Sequence, residues 1–109
     1  MDLINELARL TTLLNEAIRQ LGLRGKEYAA TERDYRIALR QEILIERDAK
    51  TPVTIISDVC RGKREIAELK FKRDVAEVMY DAAKEAINGY KLQMRILEDQ
   101  IEREWGKAE

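Results

Sequence analysis

Histidine is absent from this chain of 109 residues, and cysteine, proline and tryptophan occur only once each. Without histidine, the chain lacks the commonest general base and the commonest transition-metal ligand of proteins. The single cysteine, Cys60, excludes a disulfide framework within one chain, which favours an intracellular protein. We therefore expect no catalytic activity, no metal site and no organic cofactor.

Long apolar runs and an excess of one charge are missing as well. The N-terminal segment has acidic residues at Asp2 and Glu6 and lacks the basic flank and apolar core of a signal peptide, so we expect a soluble, cytoplasmic protein. Twenty basic residues stand against 21 acidic ones, which leaves no net field that would attract nucleic acid. Charged residues make up 38% of the chain, and five glycines and one proline accompany them, as is typical of long solvent-exposed helices.

The clearest pattern is a heptad repeat between Ile66 and Ile101, which we call the seam. Its positions follow alternating steps of three and four, and Arg73 is its only charged member. A repeat kept in phase over about five heptads predicts a helix, here about 63–105, that packs lengthwise against another helix. The seam positions are Ile66, Leu69, Arg73, Ala76, Tyr80, Ala83, Ile87, Tyr90, Met94, Leu97 and Ile101.

A second seam predicts a first helix over about 2–47. It starts with leucines at alternating steps of three and four and continues in phase through Tyr28 and Tyr35. Gly22 and Gly25 disfavour helix, so they either break it or allow another backbone to approach closely. Because the phase continues beyond them, we expect the helix to continue, either straight or kinked. The seam residues before the glycines are Leu3, Leu7, Leu10, Leu14, Ala17 and Leu21.

A turn is predicted at about 48–52, around the only proline. Thr51 is expected to cap a new helix, with Pro52 at its first helical position. The segment 52–62 is then either a short connector helix that ends at Gly62 or the beginning of one long second helix.

These elements predict an all-α fold, a single domain (1–109) built as an antiparallel two-helix coiled-coil hairpin. If the chain reverses near residue 50, Tyr28 faces Arg73 in a cation–π contact and Tyr35 faces Ile66. Apolar residues beside the seams widen the apolar face beyond what one partner helix covers. We therefore expect either a homodimer that forms a four-helix bundle or a surface for another protein, and the homodimer first.

The densest cluster of charge is the basic stretch 61–73, where six cations stand against two acids. It is either an ordinary solvated helix face or a surface that contacts a partner, and nucleic-acid phosphates are one such partner. The sequence Arg61-Gly62-Lys63 lacks the glycine spacing and the hydroxyl of a phosphate-binding loop, so we reject that motif. The cations are Arg61, Lys63, Arg64, Lys70, Lys72 and Arg73.

Trp105 is the only tryptophan, and it comes near the end of the second long helix. It either packs against the start of the first helix or anchors a partner protein, as interface tryptophans often do. The partner-binding candidates are therefore Trp105, Arg61, Lys63, Arg64, Lys70 and Lys72.

By its length, its predicted heptad hairpin and two short stretches, most of the chain resembles small helical accessory proteins that are encoded by phages of Gram-positive bacteria. One stretch is Thr51-Pro52-Val53-Thr54-Ile55-Ile56 followed by Arg61-Gly62, and the other is the run from Ile96 to Trp105. The resemblance carries no motif of known chemistry. It implies an accessory protein in the host cytosol, and some such proteins block host defence systems such as CRISPR nucleases.

The expected function is therefore non-enzymatic binding of a larger host or phage protein, possible targets including a host defence nuclease. One alternative is a nucleic-acid-associated factor in phage replication or recombination that uses the basic stretch on phosphates. A further alternative is a structural coiled-coil spacer. Steep salt dependence of binding would mark the nucleic-acid function, and higher-order self-assembly would mark the spacer.

Overall fold

The computed structural model describes residues 2–108, with side chains for residues 2–106, and this part of the chain is all-helical. It contains three helices, α1 (Asp2–Asp48), α2 (Val53–Arg61) and α3 (Arg64–Ala108), and no strand. The all-α class predicted from the sequence is confirmed. Within the same residues, no helix combines the length and the apolar character needed to cross a membrane.

The first helix passes through both of its glycines without interruption. Gly22 and Gly25 lie inside α1, so neither ends the helix. Among the described residues, no atom of another element comes within 4 Å of the point where a side chain on Gly22 would begin. A close backbone approach therefore does not explain Gly22, and the helix is continuous because its long apolar row outweighs the local cost of glycine.

The end of α1 is a Schellman motif, although the glycine typical of that motif is absent. The backbone N–H of Thr51 donates to the carbonyl of Glu46, and that of Lys50 donates to the carbonyl of Arg47, both at 3.0 Å. Lys50 therefore occupies the left-handed position, with φ of 62°. The predicted turn lies here, but its geometry comes from Lys50 and not from proline.

Pro52 caps α2 and is not its first helical residue, which corrects the predicted start by one position. Pro52 has an extended ψ of 132°, and α2 begins at Val53. Thr51 does not cap α2, because its hydroxyl donates to the carboxylate of Glu46 at the end of α1. At the other end, Gly62 follows Arg61 and separates α2 from α3, so of the two alternatives the structure has the short connector helix.

The chain divides into two compact units that each contain parts of α1 and α3. The terminal unit comprises the residues up to Leu23 together with those from Tyr80 onward, and the central unit comprises Arg24–Met79. All buried residues of α1 and α3 lie on the predicted seams, while α2 buries Ile56 and Cys60 beside them. The buried seam residues are Leu10, Ala17, Ile87 and Leu97 in the terminal unit and Tyr35, Ile66 and Ala76 in the central unit.

The aromatic partner of Arg73 differs from the predicted one. The guanidinium carbon of Arg73 lies 4.7 Å from the ring centre of Tyr35, whereas Tyr28 is hydrogen-bonded to Glu77. Tyr35 follows Tyr28 by seven residues, which is one heptad, so the shift keeps apolar positions opposite apolar positions. The prediction placed the reversal near residue 50 and allowed no length for α2, and the presence of that helix moves the pairing along α1.

Candidate functional site

The central unit contains a groove of about 550 Å³ that is lined by side chains from all three helices. We call it the basic groove, because five of its lining residues are cations and only one is an acid. Helix α1 supplies Glu32, Tyr35, Arg36, Leu39, Arg40 and Ile43, α2 supplies Arg61, and α3 supplies Lys70 and Arg73.

Helix geometry explains how α1 forms one wall of the basic groove. Tyr35, Leu39 and Ile43 follow one another at intervals of four residues and therefore lie in one apolar row. Arg36 and Arg40 form a parallel row one residue further on, at the rim. Tyr35 is buried and Leu39 and Ile43 are half-buried, so the row contributes both to the core and to the floor of the groove.

Two carboxylates neutralise part of the positive charge in the basic groove. Glu32 accepts a hydrogen bond of 2.6 Å from Nε of Arg36 and lies 3.3 Å from Nη1 of Arg73. These cations, and Arg36 above all, lower the pKa of Glu32. Asp74 pairs with Lys70 at 2.8 Å and with Arg73 at 2.9 Å, and the hydrogen bonds from Lys70 and then Arg73 lower the pKa of Asp74.

Arg40 and Arg61 differ from the other three cations of the groove. Both are exposed, and within the described residues neither guanidinium makes a hydrogen bond or an ion pair. Their positive charge therefore faces solvent at the rim. An anionic ligand could approach them without displacing a carboxylate of this chain.

Lys63 has a different role from the rest of the basic stretch. Its Nζ lies 2.6 Å from a carboxylate oxygen of Glu42 and 2.8 Å from one of Glu46, both on α1, and we call this arrangement the Lys63 clasp. Hydrogen bonds to Glu42 and then to Glu46 raise the pKa of Lys63, and those from Lys63 and Thr51 lower the pKa of Glu46. The clasp uses the lysine charge within the protein, so the geometry gives Lys63 a structural role.

The predicted basic stretch is thus distributed over several places in the central unit. Arg61, Lys70 and Arg73 line the basic groove, and Lys63 forms the clasp. Arg64 and Lys72 are exposed, lie outside the basic groove, and have no ion pair among the described residues. The stretch therefore does not act as one continuous cationic face.

Trp105 lies in the terminal unit, where it is 69% exposed. It lines a shallow depression together with Ile4 and Leu7 of α1 and Ile101 of α3. Its position shares features with both predicted alternatives, because it adjoins the start of α1 and still presents most of its ring to solvent.

Cys60 is fully buried in the last turn of α2, where it packs as a small apolar side chain. Over the part of the chain that the structure describes, no three cysteine or acidic side chains come together in a way that could hold a metal ion. The acidic residues near the end of α3 form no such group there.

Sequence reasoning missed Arg36 and Arg40 as site residues. They are separated from the basic stretch by more than twenty positions, and the segment around them also contains acids, so no local excess of charge marks them. One signal was present in the sequence. Arg36 and Arg40 are four residues apart, so they lie on one face of a helix, and each directly follows a residue of the apolar row, Tyr35 or Leu39.

Comparison with known proteins gives no assignment. The chain matches no protein-family model, no curated protein and no solved structure.

Proposed function

We propose that this chain is a non-enzymatic protein-binding module: an antiparallel helical hairpin that pairs into a four-helix bundle and binds a larger protein. The resemblance to phage accessory proteins makes a host protein, such as a defence nuclease, the target to test first. The lack of histidine in the sequence supports a binding role over a catalytic one.

The observation that carries this proposal is the set of large apolar side chains that the fold leaves exposed. In the terminal unit they include Ile4, Ile18, Leu92, Ile96 and Trp105. Burial of apolar surface yields about 25 cal/mol per Å², so side chains of this size could supply much of the free energy of association. Leu92 and Ile96 lie four residues apart on one face of α3, which suits a partner helix, whereas Trp105 suits a pocket on a different partner.

The experiment is an affinity pull-down of the tagged protein from a lysate of a Gram-positive bacterium, with and without nuclease treatment. We expect one dominant protein to be captured whether or not nuclease is added. Trp105→Ala should weaken that capture, because it removes an exposed anchor. Phe71→Ala is the matched control, since Phe71 is also an exposed aromatic residue, at 64%, but lies in the central unit.

The alternatives predict different results in the same experiment. Capture that disappears after nuclease treatment would support the nucleic-acid-associated function, for which the basic groove is the favourable observation. Large self-assemblies in the purified protein, with no captured partner, would support the structural spacer.

A further inference from the structure

We propose that the basic groove binds an acidic amphipathic segment of a partner protein, with carboxylates at its rim and an apolar side chain on its floor. This inference rests on the proposed protein-binding function and names the chemistry of one contact. It starts from a juxtaposition that only the fold creates, because the lining cations come from α1, α2 and α3.

The charges of the basic groove favour an anionic ligand. Its five cations share two carboxylates, Glu32 and Asp74, which are already paired with Arg36, Lys70 and Arg73. Three positive charges remain in excess. Two of the five cations, Arg40 and Arg61, have no ion pair among the described residues, so a ligand carboxylate could pair with each guanidinium without loss of an existing contact.

The floor of the groove adds a requirement for apolar character. Leu39 and Ile43 are half-buried and lie four residues apart in the row next to Arg36 and Arg40. A small inorganic anion would leave this apolar surface exposed to solvent. A helical segment that places a leucine-like side chain between two carboxylates could cover the floor and pair with the rim at the same time.

The aromatic content of the groove favours a protein over single-stranded nucleic acid. Tyr35 is the only aromatic residue among those that line it, and only 5% of Tyr35 is exposed. Arg73 also lies over its ring, at 4.7 Å. Single-stranded nucleic acid is usually held by accessible aromatic rings on which bases stack, and Tyr35 offers no such surface.

The test is fluorescence anisotropy with three labelled probes. The first is an amphipathic peptide with leucine at every fourth position and glutamates between, the second is the same peptide with glutamines for glutamates, and the third is a DNA duplex. We expect the glutamate peptide to bind most tightly and its affinity to fall as salt is raised.

A matched pair of double variants then locates the contact. Arg40→Gln with Arg61→Gln removes the two unpaired rim cations and should weaken binding of the glutamate peptide about tenfold or more. Arg64→Gln with Lys72→Gln removes the same amount of charge from exposed positions outside the groove and should weaken it less than about twofold. Circular dichroism and thermal melting of both proteins check the fold.

Several results would overturn the inference: equal losses in the two double variants, equal binding of the glutamine peptide, tighter binding of the DNA duplex, or no binding of the glutamate peptide. If R40Q/R61Q melts early, Arg40→Lys with Arg61→Lys keeps the charges and should retain most of the affinity. This lysine variant keeps both positive charges of the rim. If it folds but binds the glutamate peptide no better than R40Q/R61Q, the result would also contradict the role of the groove.

The pull-down separates a failure of this inference from a failure of the proposed function. A protein captured equally by the wild type and by R40Q/R61Q would leave the binding function in place and overturn the role of the groove. Tight binding of the glutamate peptide without any captured protein would support the role of the groove and contradict the proposed binding of a larger protein.

Discussion

Lys50 forms the turn after α1 in a left-handed backbone conformation that a lysine side chain disfavours. It ends α1 with φ of 62°, in the left-handed region that glycine adopts without steric cost. The two backbone hydrogen bonds of the Schellman motif hold it there. Because lysine is uncommon at such a position, sequence reasoning assigned the turn to Pro52.

Replacement of Lys50 by glycine is therefore expected to stabilise the protein, by up to about 1 kcal/mol, because the left-handed conformation no longer brings Cβ against the following carbonyl. Thermal or urea unfolding measures the change. The matched control is Lys26→Gly, which removes the same charge inside α1 and should destabilise by about 1 kcal/mol. If both variants lost stability to the same degree, strain at Lys50 would be disproved.

The connector helix α2 is the element that most changes the predicted arrangement. Two of its nine residues, Ile56 and Cys60, are buried. Lys63 follows shortly after its end and forms ion pairs with Glu42 and Glu46 of α1. The clasp therefore joins the junction between α2 and α3 to α1. Since it contains carboxylates, its contribution must depend on pH.

The sign of this dependence follows from Glu46. Its pKa is lowered from 4.5 in the folded protein, so its ion pair stabilises the fold above pH 4.5, and this stabilisation is lost as the pH falls through the folded-state pKa. The raised pKa of Lys63 matters only at high pH. Its contribution to stability is complete below the pKa of an unfolded lysine, 10.5, and is lost as the pH rises through the higher pKa of the folded protein.

We expect Glu46→Gln to lower the melting temperature at neutral pH, because glutamine cannot form an ion pair with Lys63. The difference from the wild type should shrink as the pH falls below 4.5. Melting curves across this range test it. Glu68→Gln is the control, since Glu68 is exposed and has no ion pair among the described residues, and it should have little effect. A Glu46→Gln deficit that stayed constant with pH would contradict an electrostatic clasp.

At the scale of the whole molecule, the proposed homodimer explains why apolar side chains remain exposed on the side of α3 away from the buried seam. Leu92 and Ile96 are more than half exposed, although they lie on the same helix as the buried Ile87 and Leu97. A second copy that packed against Leu92 and Ile96 would bury a face that one pair of helices leaves open.

The expected assembly is a dimer with twice the chain mass of 12.7 kDa, measured by sedimentation or light scattering. Leu92→Glu with Ile96→Glu should give monomers, because a dimer would bury two unpaired carboxylates from each chain. Asn5→Asp with Asn15→Asp adds the same charge at exposed polar positions of another helix, α1, and should leave the dimer intact. A wild type that remains monomeric at high concentration would exclude the four-helix bundle.

The fold class and the buried positions could be predicted from the sequence, because both depend on local periodicity. Leu10, Ile66 and Ile87 are buried where the seam places them, and the charged faces are exposed. Three of the five cations of the basic groove could be found in the sequence as well, since Arg61, Lys70 and Arg73 belong to the predicted basic stretch.

Only the tertiary structure decided which residues meet. A heptad pattern is unchanged by a shift of seven residues, so it could not distinguish Tyr28 from Tyr35 as the partner of Arg73. Likewise, the clasp role of Lys63 and the approach of Arg36 and Arg40 to Arg61 depend on contacts between distant parts of the chain. The sequence by itself determined the helices and their buried faces through local spacing, whereas packing around α2 set the pairing and thereby created the basic groove.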